Sequence, residues 1–223
     1  MAKAKNRTRN YVVIGLGSFG STIGKELTRF GNYVLGIDRD SAVVNRLADG
    51  LSQTVVADGR DEEALREIGI GDYHVAVIAM GQDLESSVVS AITVKMAGVD
   101  EVWAKAVSRM HHRILSKIGV DRIIHPEEEM GRHIAQMLNN PLVRDYVSLG
   151  NGYHVVNMTV PEHLAGRGLA DLQLDKRYDL RCLGVMEGTQ FKGSDGAACT
   201  LKEDDRLIIL GQRSDLRRFA DEV

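Results

Sequence analysis

The 223-residue sequence predicts an α/β fold, a doubly wound parallel sheet followed by a connecting helix and a second, smaller α+β domain. Three observations carry that expectation. Up to residue 125, short β-branched apolar runs alternate with helical patterns, the grammar of parallel strands covered on both faces. All three prolines (Pro126, Pro141 and Pro161) come after that point. Beyond Pro141 the chain changes to alternating strands punctuated by glycines, as expected where one sheet face is solvated.

Taken in order, strands are expected over residues 11–15, 33–38, 53–57, 75–79, 101–105 and 122–124. Helices fit between them over 18–30, 42–48, 62–68, 84–97 and 110–118. Asp61, followed by Glu62 and Glu63, reads as an N-cap with favourable dipole charges. Residues 127–149 join the two parts, with Met130, Ile134, Met137 and Leu138 forming the apolar stripe of a helix. That stripe needs a cover, for which another subunit is expected. Residues 153–160 alternate as a strand, 169–174 suggest a short helix, and 181–186 another strand. Gly188, Gly193 and Gly196 mark a hairpin region, 205–210 a final strand, and Ser214 the cap of a closing helix. The expected domains are 1–140 and 141–223.

Composition excludes several classes. Lys plus Arg total 28 against 31 Asp plus Glu, for a net charge of −3, and neither domain is basic. A phosphate-neutralising nucleic-acid surface is therefore not expected. No apolar run approaches the roughly 20 residues of a membrane span. The first residues lack the apolar stretch of a signal peptide, so a cytoplasmic protein is expected. Cys182 and Cys199 form neither a disulfide framework nor a metal-binding spacing.

The sharpest motif is Gly15-x-Gly17-x-x-Gly20, placed directly after a predicted strand and opening a helix. Gly15 suits the tight turn, Gly17 a close approach of pyrophosphate, and Gly20 close helix–strand packing, which makes the first domain Rossmann-like. The helix N-terminus offers amide donors to phosphate. Asp38 ends the second strand, where an acid can accept from ribose hydroxyls. A glycine turn used only for packing is the alternative. Asp58 and Gly59 follow the third strand, Met80 and Gly81 the fourth, and Lys105 ends the fifth, all at the edge where such sheets bind ligands. Asp58 suits an adenine amino group or a plain turn, and Lys105 suits phosphate or solvent. His111, His112, His125 and His133 follow no zinc spacing, whereas Glu127, Glu128 and Glu129 offer hard oxygen ligands or an acidic first helical turn. A dehydrogenase would need a proton donor beside its cofactor, and His154 and His163 are the sole candidates in the second domain.

Six stretches together resemble the cytoplasmic regulatory subunits of bacterial Ktr/Trk potassium-uptake systems, built from domains that regulate potassium conductance (RCK domains). They are YVVIGLGSFG (11–20), VLGID (34–38), VWAKA (102–106), IGVDRIIHPE (118–127), TVPEHLAGRGL (159–169) and DDRLIILG (204–211). The resemblance implies a first lobe that binds ATP or ADP, with NAD(H) also possible, and crossover-helix homodimers assembled into a homo-octameric ring. The ring docks on a membrane potassium transporter subunit and gates it without making or breaking a bond. Neither nucleic acid nor membrane insertion is implied. Carried onto this chain, the nucleotide residues are Gly15, Gly17, Ser18, Phe19, Gly20, Asp38, Arg39, Asp58, Gly59, Met80, Gly81, Lys105, His111 and Glu127. Glu127 matches a carboxylate that helps hold a divalent cation, Mg or Ca, at the subunit interface. Ser18 stands where relatives often carry an arginine. The other reading is a soluble NAD-dependent oxidoreductase or redox sensor, because the glycine fingerprint serves cofactor and effector alike.

Overall fold

A computed structural model of the protein describes residues 9–81, 83–140, 142–193 and 199–222, and the chain divides into two compact units, Met1–Glu127 and Glu128–Val223. The first unit opens with β1 (Asn10–Ile14), α1 (Ser18–Arg29), β2 (Tyr33–Asp38), α2 (Ser41–Leu47), β3 (Gln53–Val56) and α3 (Glu62–Ile68). It continues with β4 (Val75–Ile78), α4 (Leu84–Met96), β5 (Glu101–Lys105), α5 (Arg109–Lys117) and β6 (Arg122–Ile124). The six strands form one parallel sheet in the order β3-β2-β1-β4-β5-β6, the Rossmann-like arrangement the sequence predicts. Strand order reverses between β1 and β4, so the ligand crevice of such a sheet lies outside their carboxyl ends.

Both faces of this sheet are covered. Val12, Ile14, Leu35 and Ile37 pack on one side with Leu65, Ala91 and Leu115 from the helices. Val13, Val34 and Val77 pack on the other with Leu16, Leu47 and Leu51. Every residue of β4 is buried, which is why its sequence is an unbroken apolar run rather than an alternation. Helices α2 to α5 each start at a side chain that accepts a backbone N–H: Asp40, Asp61, Asp83 and Ser108. The Asp61 cap is the one expected from sequence. It accepts from Glu63 and Ala64, and the helix it starts ends at Gly69 with φ +76°.

Helix α6 (Pro126–Asn139) spans the division between the units and has no buried residue. Its predicted stripe is in place, with Met130, Ile134 and Leu138 all exposed. The second unit then runs β7 (Val143–Gly150), β8 (Tyr153–Thr159), α7 (Leu174–Tyr178), β9 (Arg181–Glu187), β10 (Gln190–Gly193), β11 (Arg206–Gln212) and α8 (Arg213–Glu222). Its five strands form an antiparallel sheet in the order β10-β9-β11-β8-β7 around Met158, Leu180, Leu207 and Phe219.

One expectation needs correction: residues 143–150 are a strand rather than connection. The β7–β8 register slips twice, between Val143 and Asp145 and between Ser148 and Gly150, which blurs the alternation that marks β8 plainly. The expected helix over 169–174 resolves into a 3₁₀ turn at Leu169–Leu172, a left-handed break at Gln173, and then α7. Gly188 turns the β9–β10 hairpin with φ +59°, while Gly196, Gln82, Pro141 and the first residues lie outside the described residues. Among the described residues no helix is long and apolar enough to cross a membrane.

Two glycines after β1 are required by the chain itself. Gly15 has φ +92°, a region that side chains rarely enter. A Cβ on Gly20 would stand 1.9 Å from the Gly15 carbonyl oxygen. Gly20→Ala should therefore lower stability by ~1–3 kcal/mol, the usual range for overpacking, seen as a melting midpoint several degrees below wild type. An unchanged melt would show that α1 can lift from β1 without cost.

Candidate nucleotide site

The predicted residues gather at the carboxyl edge of the parallel sheet, because each belongs to the segment leaving a strand. Gly15 to Gly20 follow β1, Asp38 and Arg39 close β2, and Asp58 and Gly59 follow β3. Met80 and Gly81 follow β4, Lys105 closes β5, and Glu127 lies in the first turn of α6 after β6. The β1 and β4 exits touch: a Cβ on Gly15 would lie 2.8 Å from Met80 Cγ. Gly59 is sealed in, since a Cβ there would meet Ile14 Cγ2 at 2.4 Å.

Asp38 does more than the sequence assigned to it. Its Oδ2 accepts the Leu16 N–H at 2.7 Å, and its Oδ1 accepts the Asp40 N–H at 3.0 Å. The carboxylate thus fixes the glycine loop, and it keeps lone pairs for further donors. Sequence reading missed Leu16, whose amide is one half of that bond. Gly17, next to it, caps α1 with φ −61° and ψ −171°, extended backbone open to any residue. A Cβ there would meet nothing within 4 Å. Packing explains Gly15 and Gly20 but not Gly17, which stands at the N-cap of α1 with open space beside it. The same helix start has no side-chain cap and no acidic residue in its first turn, so its leading N–H groups point outward without an internal acceptor.

The charged groups are already paired. The Lys105 ammonium, with its side chain only 13% exposed, bonds the Glu127 carboxylate and lies 5.6 Å from the centre of the Phe19 ring. Its stem runs past Gly81, where a Cβ would stand 3.0 Å from Lys105 Cε. The Lys105 hydrogen bond holds the Glu127 carboxyl below its usual range. On the other flank, Arg60 donates to the Asp58 carboxylate from Nη2 at 2.6 Å and Nε at 3.0 Å, and its backbone N–H adds a bond at 3.0 Å. Those bonds, with a smaller contribution from Arg39, hold Asp58 at about 2. Arg60 carries no sequence signal, because pairing two residues apart in a loop follows no helix or strand period.

His111 needs correction. It is fully buried, Nδ1 accepts the Val107 N–H at 3.4 Å, and Nε2 lies 3.2 Å from Ser87 Oγ. The accepting Nδ1 sets a neutral tautomer that donates from Nε2, and burial pushes the imidazole below its ordinary range. It supports α5 against α4. His112 and His125 stack, with Nδ1 and Nε2 2.9 Å apart. Among the described residues no three His, Cys, Asp or Glu side chains converge as a metal site. A cation at Glu127 would therefore draw oxygen ligands from a bound phosphate.

The TrkA-N domain family matches residues 11–126 and the TrkA-C domain family matches 153–223. The chain is 33% identical to Ktr system potassium uptake protein A of Bacillus subtilis, covering 100% of this chain and 99% of that one. It is 35% identical to Ktr system potassium uptake protein A of Vibrio alginolyticus, over 95% and 96% of the two chains. Among solved structures, the GsuK RCK domain superposes with a TM-score of 0.67 at 13% identity, over 97% of this chain and 48% of that one. The last likeness is one of fold.

The Asp58–Arg60 pair sets a pH expectation. A carboxyl depressed from 3.8 to about 2 favours the folded state above its ordinary range, and that contribution fades as pH falls from about 4 towards 2. Both side chains are more than a third exposed, so the energy is small and the titration itself is the measurable quantity. Carboxyl NMR should give an Asp58 midpoint near 2 in wild type and a clearly higher one in Arg60→Gln, where the backbone N–H of residue 60 and Arg39 still act on the carboxyl. Equal midpoints in the two proteins would remove Arg60 as the cause.

Proposed function

The chain belongs to the TrkA-N/TrkA-C family of potassium-uptake proteins, and on that premise we propose that it is a nucleotide-sensing regulatory subunit that gates a membrane potassium transporter. Gly17 carries the reading: a glycine that nothing in the chain requires, beside uncapped amides and a loop held by Asp38. The ligand is ATP or ADP, with NAD(H) as the alternative nucleotide. Its phosphates lie over Gly17, Ser18 and Phe19, and its ribose lies against Asp38 and Arg39. Asp58, Gly59, Met80 and Gly81 line the adenine side, and Lys105 faces the terminal phosphates. A divalent cation, Mg or Ca, bridges those phosphates to Glu127.

In this reading residues 1–140 form the sensing lobe with its crossover helix, and 141–223 form the second lobe. The α6 stripe joins subunits into homodimers, and dimers into an octameric ring on the cytoplasmic face of the transporter. A ligand shifts such a ring by the difference in its affinity for two conformations. The chain transfers no group and acts as a regulator rather than an enzyme. A redox enzyme would share the glycine fingerprint, and nucleotide preference separates the two.

Calorimetric titration with ATP, ADP, NAD⁺ and NADH tests the site. Gly17→Val should weaken adenine-nucleotide binding at least about tenfold, or ~1.4 kcal/mol, while the fold loses no more than ~1 kcal/mol. Unchanged affinity in a folded Gly17→Val protein would remove the loop from the binding site. The cation role has a separate test. Glu127→Gln should raise ATP affinity in the absence of metal, because Lys105 is released to phosphate, and should erase an ATP–Mg²⁺ coupling of ~1–3 kcal/mol. Equal cation dependence in both proteins would sink the role of Glu127 and leave the nucleotide site standing.

A further inference from the structure

The second unit contains a cavity that the nucleotide reading does not use. It lies between the end of α6, the β7-β8-β11 part of the antiparallel sheet and α8, and has a cavity volume of about 90 Å³. Its floor is core: Val156, Met158, Ile209 and Phe219 are each at most 6% exposed. One wall is aromatic, with Tyr146 and His154 stacked at 4.6 Å between ring centres.

Two polar features of this cavity are unfinished. His154 is 93% buried, and although its Nε2 lies 3.3 Å from the Tyr146 hydroxyl, its Nδ1 has no partner among the described residues. A buried imidazole nitrogen without a hydrogen bond is costly, and a ligand group that met it would recover that cost. The second feature is charge. Arg213 and Arg217 both line the cavity from α8. Arg217 lies 3.7 Å from the Asp221 carboxylate, whereas Arg213 forms no ion pair among the described residues. Burial and then the Arg213 charge push His154 below its ordinary range, so the histidine stays neutral beside the guanidinium.

We propose that this cavity binds a small aromatic monocarboxylate. The apolar floor and stacked wall take a flat hydrocarbon body, the carboxylate neutralises Arg213, and the Nδ1–H of His154 donates to it while Nε2 accepts from Tyr146. Each alternative class leaves something unmet. A cation is repelled by Arg213, since Arg217 is offset by Asp221, a neutral molecule leaves Arg213 unpaired, and a multiply charged phosphate would have to desolvate over a hydrocarbon floor. The site is wholly inside the second unit, so it stands or falls apart from the nucleotide reading.

The probe is para-trifluoromethyl benzoate, with para-trifluoromethyl benzyl alcohol as its neutral analogue, each titrated into the full chain and followed by fluorine NMR line width. Saturable binding of the carboxylate is expected, about tenfold tighter than the alcohol and about tenfold weaker in Arg213→Gln. Ala220→Trp, which fills the cavity from α8, should abolish it. Arg213 is exposed, so Arg213→Gln folds and decides the matter even if the tryptophan variant does not. No saturable broadening in wild type, equal affinity in Arg213→Gln, or binding retained in a folded Ala220→Trp would each overturn the proposal.

Discussion

The bond between the Asp38 carboxylate and the Leu16 amide is the constraint on which the first unit's functional edge depends. Up to Gly15 the chain obeys the sheet, and the Gly15 N–H still donates to the Ile37 carbonyl at 2.8 Å. One residue later the backbone leaves the ladder, and the carboxylate at the end of the neighbouring strand takes over as acceptor at 2.7 Å. The Leu16 side chain is meanwhile buried beneath α1 and α2, with Val13, Val34 and Leu47. Held at both its amide and its side chain, Leu16 leaves Gly17 nowhere to turn but outward. The start of α1 and the spacing of the whole edge follow from that single exchange of acceptors.

The edge is otherwise a set of charges satisfied within the chain. Asp58 has Arg60 and Lys105 has Glu127, so two of the site's charges are already paired within the chain. On the proposed reading an incoming phosphate would have to displace a carboxylate as well as gain an ammonium, and its affinity would reflect two anions competing for one cation. Such sites respond strongly to anything that occupies the displaced carboxylate, which gives Glu127 its leverage despite its exposed position. His111 contributes from beneath, as a neutral hydrogen-bonded strut between two helices.

What could be read from sequence was whatever has a local period or a fixed local geometry. The Val-Ala-Val-Ile run of β4, the Asp61 cap and the placement of the glycine loop between strand and helix all survive in short windows. What could not be read depends on partners far away or on broken periods. The burial of His111 is decided by Ser87 on another helix, 24 residues away. The two slips in β7 erase its alternation, and the orphaned Nδ1 of His154 exists because strands β7 and β8 bring Tyr146 to its other nitrogen. At the carboxyl edge of the parallel sheet, which residues leave the strands was legible, while the pairings Asp38–Leu16 and Asp58–Arg60 were not.

Gly17 separates two selective pressures that most residues feel together. Its neighbours Gly15 and Gly20 are held to glycine by folding, because a side chain there meets the chain itself. At Gly17 the structure imposes no such penalty, since a side chain there meets empty space and an unstrained backbone. On the proposed reading, a side chain at Gly17 would intrude on the ligand and on nothing else. Folding and binding therefore come apart at this one position, where a substitution could close the crevice and leave the domain standing.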